Sequence, residues 1–88
     1  MKEIYLDNAA TTEVDEKVLK AMIVYFKKNY ANPSSKYVAG IKAREAVERA
    51  RKTIADKIGA KPSEIIFISG GTEANNLALK GLFFANYP

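Results

Sequence analysis

The feature that most constrains the fold is a run of β-branched and aromatic residues that meets two glycines. Residues 65–69 read Ile-Ile-Phe-Ile-Ser, and Gly70, Gly71 and Thr72 follow directly. β-branched and aromatic side chains favour a strand, whereas glycine permits turn conformations, including positive φ, that other residues avoid. Helix-forming residues come next. The order therefore predicts a strand, a tight turn and a helix that begins near Thr72.

A turn of this kind has two possible roles. The first N–H groups of a helix have no partner within the helix, and the helix dipole favours an anion there, so the turn suits a phosphate group. In the alternative interpretation, Thr72 caps the helix and no ligand is involved. The segment by itself favours neither role.

Composition narrows the class of protein. The chain has 88 residues, of which 48% are hydrophobic, so it corresponds to at most one small globular domain. It contains no apolar run of about 18 residues and no apolar core of a signal peptide near Met1, so we expect a cytoplasmic protein without a membrane partner. The absence of cysteine and histidine excludes a disulfide framework and a thiolate zinc site within the chain, and we predict no metal site.

The charge pattern argues against a nucleic-acid partner. The net charge is +4, but acidic and basic residues alternate along residues 42–61 without interleaved aromatic residues. This pattern is typical of a solvated helix face.

Three helices and two short strands are predicted. Residues 4–6 form a strand candidate, and Asp15 is a suitable N-cap for the first helix. A second helix is expected over about residues 38–58, with Gly59 just past its end. The third begins near Thr72. The apolar face of the first helix consists of Val18, Leu19, Met22, Ile23 and Phe26.

These elements are too few for a complete sheet. Residues 65–68 are apolar on both faces, as in a strand buried within a parallel sheet, and two distant strands cannot bury them. The last helix also continues apolar into residues 82–84. We therefore expect the chain to be the N-terminal piece of a larger α/β protein.

Three motifs, taken in order, resemble one family. They are Tyr-Leu-Asp-Asn-Ala-Ala-Thr-Thr at residues 5–12, Asn-Pro-Ser-Ser at residues 32–35, and Ser-Gly-Gly-Thr-Glu-Ala-Asn-Asn at residues 69–76. The motifs and their spacing are similar to the N-terminal part of the pyridoxal-phosphate-dependent cysteine desulfurases, in the class V aminotransferase group of fold type I. The resemblance covers nearly the whole chain.

The resemblance implies a homodimeric α/β enzyme about four times as long as this chain. Residues 1–35 would be the small-domain segment with active-site loops. Residues 36–88 would be the incomplete start of the large domain, with the long connecting helix followed by the first strand and helix. The implied cofactor is pyridoxal 5'-phosphate, and its phosphate would be bound by Gly71 and Thr72.

Two other motifs carry weaker implications. Asn8 and Ala10 would lie on the substrate side of the pocket, although turn chemistry through the side chains of Asp7 and Asn8 explains this motif equally well. The Asn-Pro-Ser-Ser motif resembles a loop near the active site. A plain connector between helices, with Ser34 or Ser35 as a cap, is the favoured interpretation of that motif.

The implied reaction converts L-cysteine to L-alanine and transfers the sulfur to an enzyme cysteine, for iron–sulfur cluster assembly or other sulfur delivery through a scaffold protein. The family's catalytic lysine, histidine and cysteine would lie further along a longer chain, so no catalytic residue is assigned here and we expect the 88 residues alone to be inactive. Tyr37 stands where the family often has histidine, which puts any proton-transfer role at that position in doubt. Two alternatives to a cysteine desulfurase remain. The chain could belong to another class V enzyme, such as a selenocysteine lyase or an aminotransferase, or it could be a non-catalytic interaction module.

Overall fold

A computed structural model describes residues 2–87 and contains three α-helices. They are α1 (Glu16–Lys27), α2 (Val38–Ile58) and α3 (Gly71–Asn86), with a short 3-10 helix, Pro62–Glu64, between the last two. The chain divides into two compact units, one up to Glu48 and the other from Arg49 onward. The three helices predicted from the sequence are confirmed, and α2 has the predicted bounds.

The start of α1 follows from its capping residue. One carboxylate oxygen of Asp15 accepts hydrogen bonds from the backbone N–H of Lys17 at 2.8 Å and of Val18 at 3.4 Å. These bonds satisfy two of the donors that a helix N-terminus leaves without an intrahelical acceptor. The prediction of Asp15 as N-cap is therefore confirmed.

The end of α2 depends on a glycine. Gly59 has φ 70°, a left-handed conformation, and the N–H of Ala60 then donates to the carbonyl of Ala55 at 2.9 Å. A residue with a Cβ is strained in this conformation, which is why glycine commonly follows the last turn of a helix. The predicted role of Gly59 is confirmed.

The two predicted strands are not formed within residues 2–87. A strand requires hydrogen bonds to a neighbouring strand, and residues 4–6 and 65–69 lie in different units. Ile65 nevertheless has an extended backbone, with φ −100° and ψ 124°. The residue types favour extended backbone at this position, and no sheet partner for it lies among the described residues.

In the described part of the chain, the buried residues are all small. Gly40 and Ala43 are buried in the first unit, and Ala55 is buried in the second. The apolar face predicted for α1 is present in α1, but its side chains remain 39% to 72% exposed. Exposed apolar faces of this extent are typical of surfaces that pack against further protein. Within the described residues, no helix is both long enough and apolar enough to cross a bilayer.

Gly81 lies inside α3, where a Cβ would meet no atom within 4 Å. Because glycine disfavours a helix interior by about 1 kcal/mol relative to alanine, we expect Gly81→Ala to increase helix content. Circular dichroism of a peptide of residues 69–87, with and without the substitution, measures this effect. Gly81→Pro, which should abolish the helix, is the control for sensitivity. Equal or lower helicity in the alanine peptide would contradict the expectation.

Candidate functional site

The N-terminus of α3 presents unbonded backbone donors. Gly70 is the N-cap residue and α3 begins at Gly71. The first N–H with a helical acceptor is that of Ala74, which donates to the carbonyl of Gly70 at 3.1 Å. Over residues 2–87, the N–H groups of Gly71, Thr72 and Glu73 therefore have no hydrogen-bond acceptor. Three adjacent donors at the positive end of a 16-residue helix form an arrangement that favours an anion.

Thr72 is not the helix cap. It is the second residue of α3, and the N-cap position is occupied by Gly70, which has no side chain to make a capping hydrogen bond. An N-cap residue precedes the first helical turn, and its side-chain oxygen accepts from the N–H groups of the second and third helical residues; Thr72 is itself the second helical residue. The interpretation of Thr72 as a cap is wrong. Its hydroxyl makes no hydrogen bond within the described chain, so it is available to a ligand at this terminus.

The two glycines leave open space beside the donors. A Cβ built on Gly70 or on Gly71 meets no atom within 4 Å. Gly70 has φ 168°, which is extended backbone that any residue can adopt. A left-handed conformation is therefore not the reason for glycine at this position. The absence of side chains instead lets a ligand approach the backbone closely.

A hydrogen-bonded pair that the sequence did not predict, Ser69 and Glu73, spans the turn at residues 69–73. The Ser69 hydroxyl donates to a carboxylate oxygen of Glu73 at 2.8 Å, and the Ser69 N–H approaches the same oxygen at 3.4 Å. Glu73 is four residues after Ser69, one more than the Ser-x-x-Glu spacing of a capping box, so that motif would not have identified the pair. The carboxylate of Glu73 is thus hydrogen-bonded to the residue before the glycines and takes up none of the three N–H donors.

The donor set fits a phosphate group. Backbone N–H groups, a threonine hydroxyl and an open glycine cradle are the parts from which phosphate sites at helix N-termini are built. The described residues contain no group of acidic or other side chains that could hold a metal ion.

Asn8 and Ala10 lie in a tight turn in the other unit. The N–H of Ala10 donates to the carbonyl of Asp7 at 3.1 Å, and the Tyr5 hydroxyl donates to the same carbonyl at 2.9 Å. The turn is therefore held by a backbone bond and a tyrosine bond, and the expected side-chain hydrogen bonds of Asp7 and Asn8 are not formed within residues 2–87. The Asn8 side chain is exposed and makes no hydrogen bond within residues 2–87.

The Asn-Pro-Ser-Ser motif forms a second turn. The Asn32 side-chain oxygen accepts from the N–H of Ser34 at 2.8 Å, and the Asn32 carbonyl accepts from the N–H of Ser35 at 3.0 Å. Because α2 begins only at Val38, neither serine is its cap, and that part of the connector interpretation is wrong. The turn abuts Gly40, a contact that the sequence pattern did not predict.

The comparison with known families decides the membership of the chain. The profile of the family described as Aminotransferase class-V matches residues 4–86. The chain belongs to the class-V aminotransferase family. The match includes all three motifs, and the sequence prediction of the family is confirmed.

Curated relatives of this class-V chain include proteins named cysteine desulfurase. The chain is 49% identical over 85 residues to a cysteine desulfurase IscS of Methanosarcina thermophila, covering 97% of this chain and 21% of that protein. It is 56% identical over 80 residues to a mitosomal cysteine desulfurase of Trachipleistophora hominis, covering 90% and 18%. The chain thus spans about a fifth of the length of these relatives.

A solved structure titled NifS-like protein is similar to this class-V chain in three dimensions. The TM-score is 0.90 with 42% sequence identity, over 98% of this chain and 24% of that one. The helical segments described above therefore correspond to part of a larger fold.

Proposed function

We propose that this chain is the N-terminal segment of a pyridoxal-phosphate-dependent cysteine desulfurase, and that it supplies the binding site for the cofactor phosphate. One observation carries the proposal: within residues 2–87, the first three N–H groups of α3 have no acceptor, they adjoin open space at Gly70 and Gly71, and Thr72 lies in the same turn. The names of relatives at about 50% identity support the same activity.

In this proposal Gly71 and Thr72 bind the phosphate through their backbone N–H groups and the Thr72 hydroxyl. Hydrogen bonds to a charged group are stronger than bonds between neutral groups, so the site holds the cofactor by its phosphate end. Pyridoxal 5'-phosphate, when bound, supplies an electron sink for reactions of amino acids. Asn8 and Ala10 are the proposed contacts on the substrate side.

The remaining chemistry would come from the other four fifths of such a protein. The chain has no cysteine to accept sulfur and no histidine, so the 88 residues alone are proposed to be inactive. We propose a homodimeric, cytoplasmic α/β enzyme of fold type I, with residues 1–35 in the small domain and residues 36–88 opening the large domain. Residues 65–69 would then join its sheet, and a scaffold protein for iron–sulfur clusters would receive the sulfur.

The full-length protein tests the activity. We expect purified enzyme loaded with cofactor to convert L-cysteine to L-alanine with one equivalent of sulfide per alanine in the presence of a thiol reductant. Activity on L-selenocysteine alone would identify a selenocysteine lyase instead. Amino-group transfer to a keto acid without sulfur release would identify an aminotransferase, and absence of cofactor binding would leave a non-catalytic interaction module.

Thr72→Ala tests the assigned phosphate contact. Loss of one hydrogen bond to a charged group costs about 1.5 to 3 kcal/mol, so we expect cofactor affinity to fall about tenfold or more, while the reaction type is unchanged. Absorbance titration of the apo-enzyme with pyridoxal 5'-phosphate measures the affinity.

Two variants serve as controls for Thr72→Ala. Thr72→Ser keeps the hydroxyl and should retain most of the affinity. Thr53→Ala removes a hydroxyl that bonds the Arg49 carbonyl at 2.9 Å within α2, and it should leave the affinity unchanged. Unaltered cofactor affinity in Thr72→Ala would refute the assignment.

A further inference from the structure

Arg51 contacts the segment before the glycine turn at two points. Its Nη1 donates a hydrogen bond to the backbone carbonyl of Ile65. Its guanidinium carbon also lies 4.8 Å from the centroid of the Phe67 ring. A planar guanidinium can donate a hydrogen bond in its plane while it stacks on an aromatic ring, which an ammonium group cannot do in the same way. Arg51 is half-buried, so these contacts are partly shielded from water.

The two contacts restrain the segment of residues 65–67, which is not part of a β-sheet within residues 2–87. Ile65 is extended, and Arg51 contacts its backbone carbonyl as well as the aromatic ring of Phe67 two residues later. No strand of the described chain pairs with this segment. Its position against α2 therefore depends on side-chain contacts, and Arg51 supplies two of them.

The same segment leads directly into the candidate phosphate site. Phe67 is followed by Ile68 and by Ser69, and Ser69 is hydrogen-bonded to Glu73 in the first turn of α3. A shift of Phe67 would therefore be transmitted over two residues to the turn that carries the three N–H donors. Preorganised donors bind an anion more strongly than donors that must first be ordered.

We propose that Arg51 is a positioning residue for the phosphate site. It acts through Ile65 and Phe67, and it need not touch the ligand. The inference rests on the proposed function, since it concerns how well the start of α3 recognises a phosphate.

The experiment compares two ligands that differ only in the phosphate. Dissociation constants of pyridoxal 5'-phosphate and of pyridoxal are measured for the full-length apo-enzyme by absorbance titration. The ratio of the pyridoxal constant to the pyridoxal 5'-phosphate constant reports phosphate recognition and is larger when the phosphate is bound more strongly. A thermal unfolding curve for each variant reports stability separately. A role in stability alone would lower the melting temperature and leave the ratio unchanged.

Arg51→Met removes both contacts and keeps an apolar stem of similar length, whereas Arg51→Lys keeps the positive charge. We expect the ratio to fall about tenfold in Arg51→Met and by a smaller factor in Arg51→Lys. Arg49→Met, two residues earlier on the same helix with an exposed side chain, is the matched control and should preserve the ratio. If Arg51→Met does not fold, the fall in Arg51→Lys decides the question.

An unchanged ratio in the folded Arg51 variants, or an equal fall in Arg49→Met, would overturn the role of Arg51 while the proposed function stands. If the unmodified enzyme binds both compounds equally, the phosphate site itself is refuted, and the role of Arg51 is refuted with it.

Discussion

Replacing Gly71 with aspartate is expected to weaken binding of the cofactor phosphate by about a hundredfold in the full-length enzyme. Gly71 is the first residue of α3, and a Cβ there meets no atom within 4 Å, so the folded chain accommodates the side chain. An acidic residue in the first turn even favours the helix, by about 0.3 to 1 kcal/mol. The carboxylate, however, repels a phosphate and competes for the same N–H donors.

Stability and ligand affinity should therefore change in opposite directions in Gly71→Asp. Titration with pyridoxal 5'-phosphate measures the affinity, and thermal unfolding of the apo-enzyme measures the stability. Gly71→Asn has nearly the same shape without the charge, and it should lose much less affinity. Equal affinities of the aspartate and asparagine variants would show that charge at this position does not matter, contrary to the phosphate assignment.

Gly40→Ala is expected to destabilise the protein, although alanine is the better helix former. An added Cβ at Gly40 would lie 2.4 Å from the Ser35 carbonyl oxygen and 2.6 Å from the Ser35 Cβ. Neither atom is the far end of a flexible side chain, so the turn of residues 32–35 or the first turn of α2 must move. Overpacking of this kind costs about 1 to 3 kcal/mol, which exceeds the propensity gain of up to about 1 kcal/mol.

We expect Gly40→Ala to lower the melting temperature of the full-length protein by several degrees, and hydrogen exchange of residues 34 and 35 to become faster. Gly81→Ala makes the same chemical change in open space, so its effect on helix stability should have the opposite sign. An equal or higher melting temperature in Gly40→Ala would contradict the close contact with Ser35.

Local signals were sufficient for the helices. Asp15 as N-cap, Gly59 past the end of α2 and the start of α3 near Thr72 were all predicted, because capping and glycine turns depend on residues a few positions apart. The strands could not be confirmed, since pairing of residues 65–69 depends on residues far away in sequence. The assignment of Gly71 and Thr72 to a phosphate stays a prediction, as does that of Asn8 and Ala10 to the substrate side.

The amino-acid sequence by itself determined the family and the presence of the three helices, because motif order, periodicity and capping are properties of short segments. Only the tertiary structure showed that the backbone of Ser35 lies against Gly40 and that the Ser69 hydroxyl is hydrogen-bonded to Glu73. It also showed that Arg51 contacts the Ile65 carbonyl and the Phe67 ring. It also showed that Gly70 and Gly71 provide open space without adopting a left-handed turn. The physical reason is that close packing and side-chain bonding depend on which atoms meet in space, and residue types alone leave that undetermined.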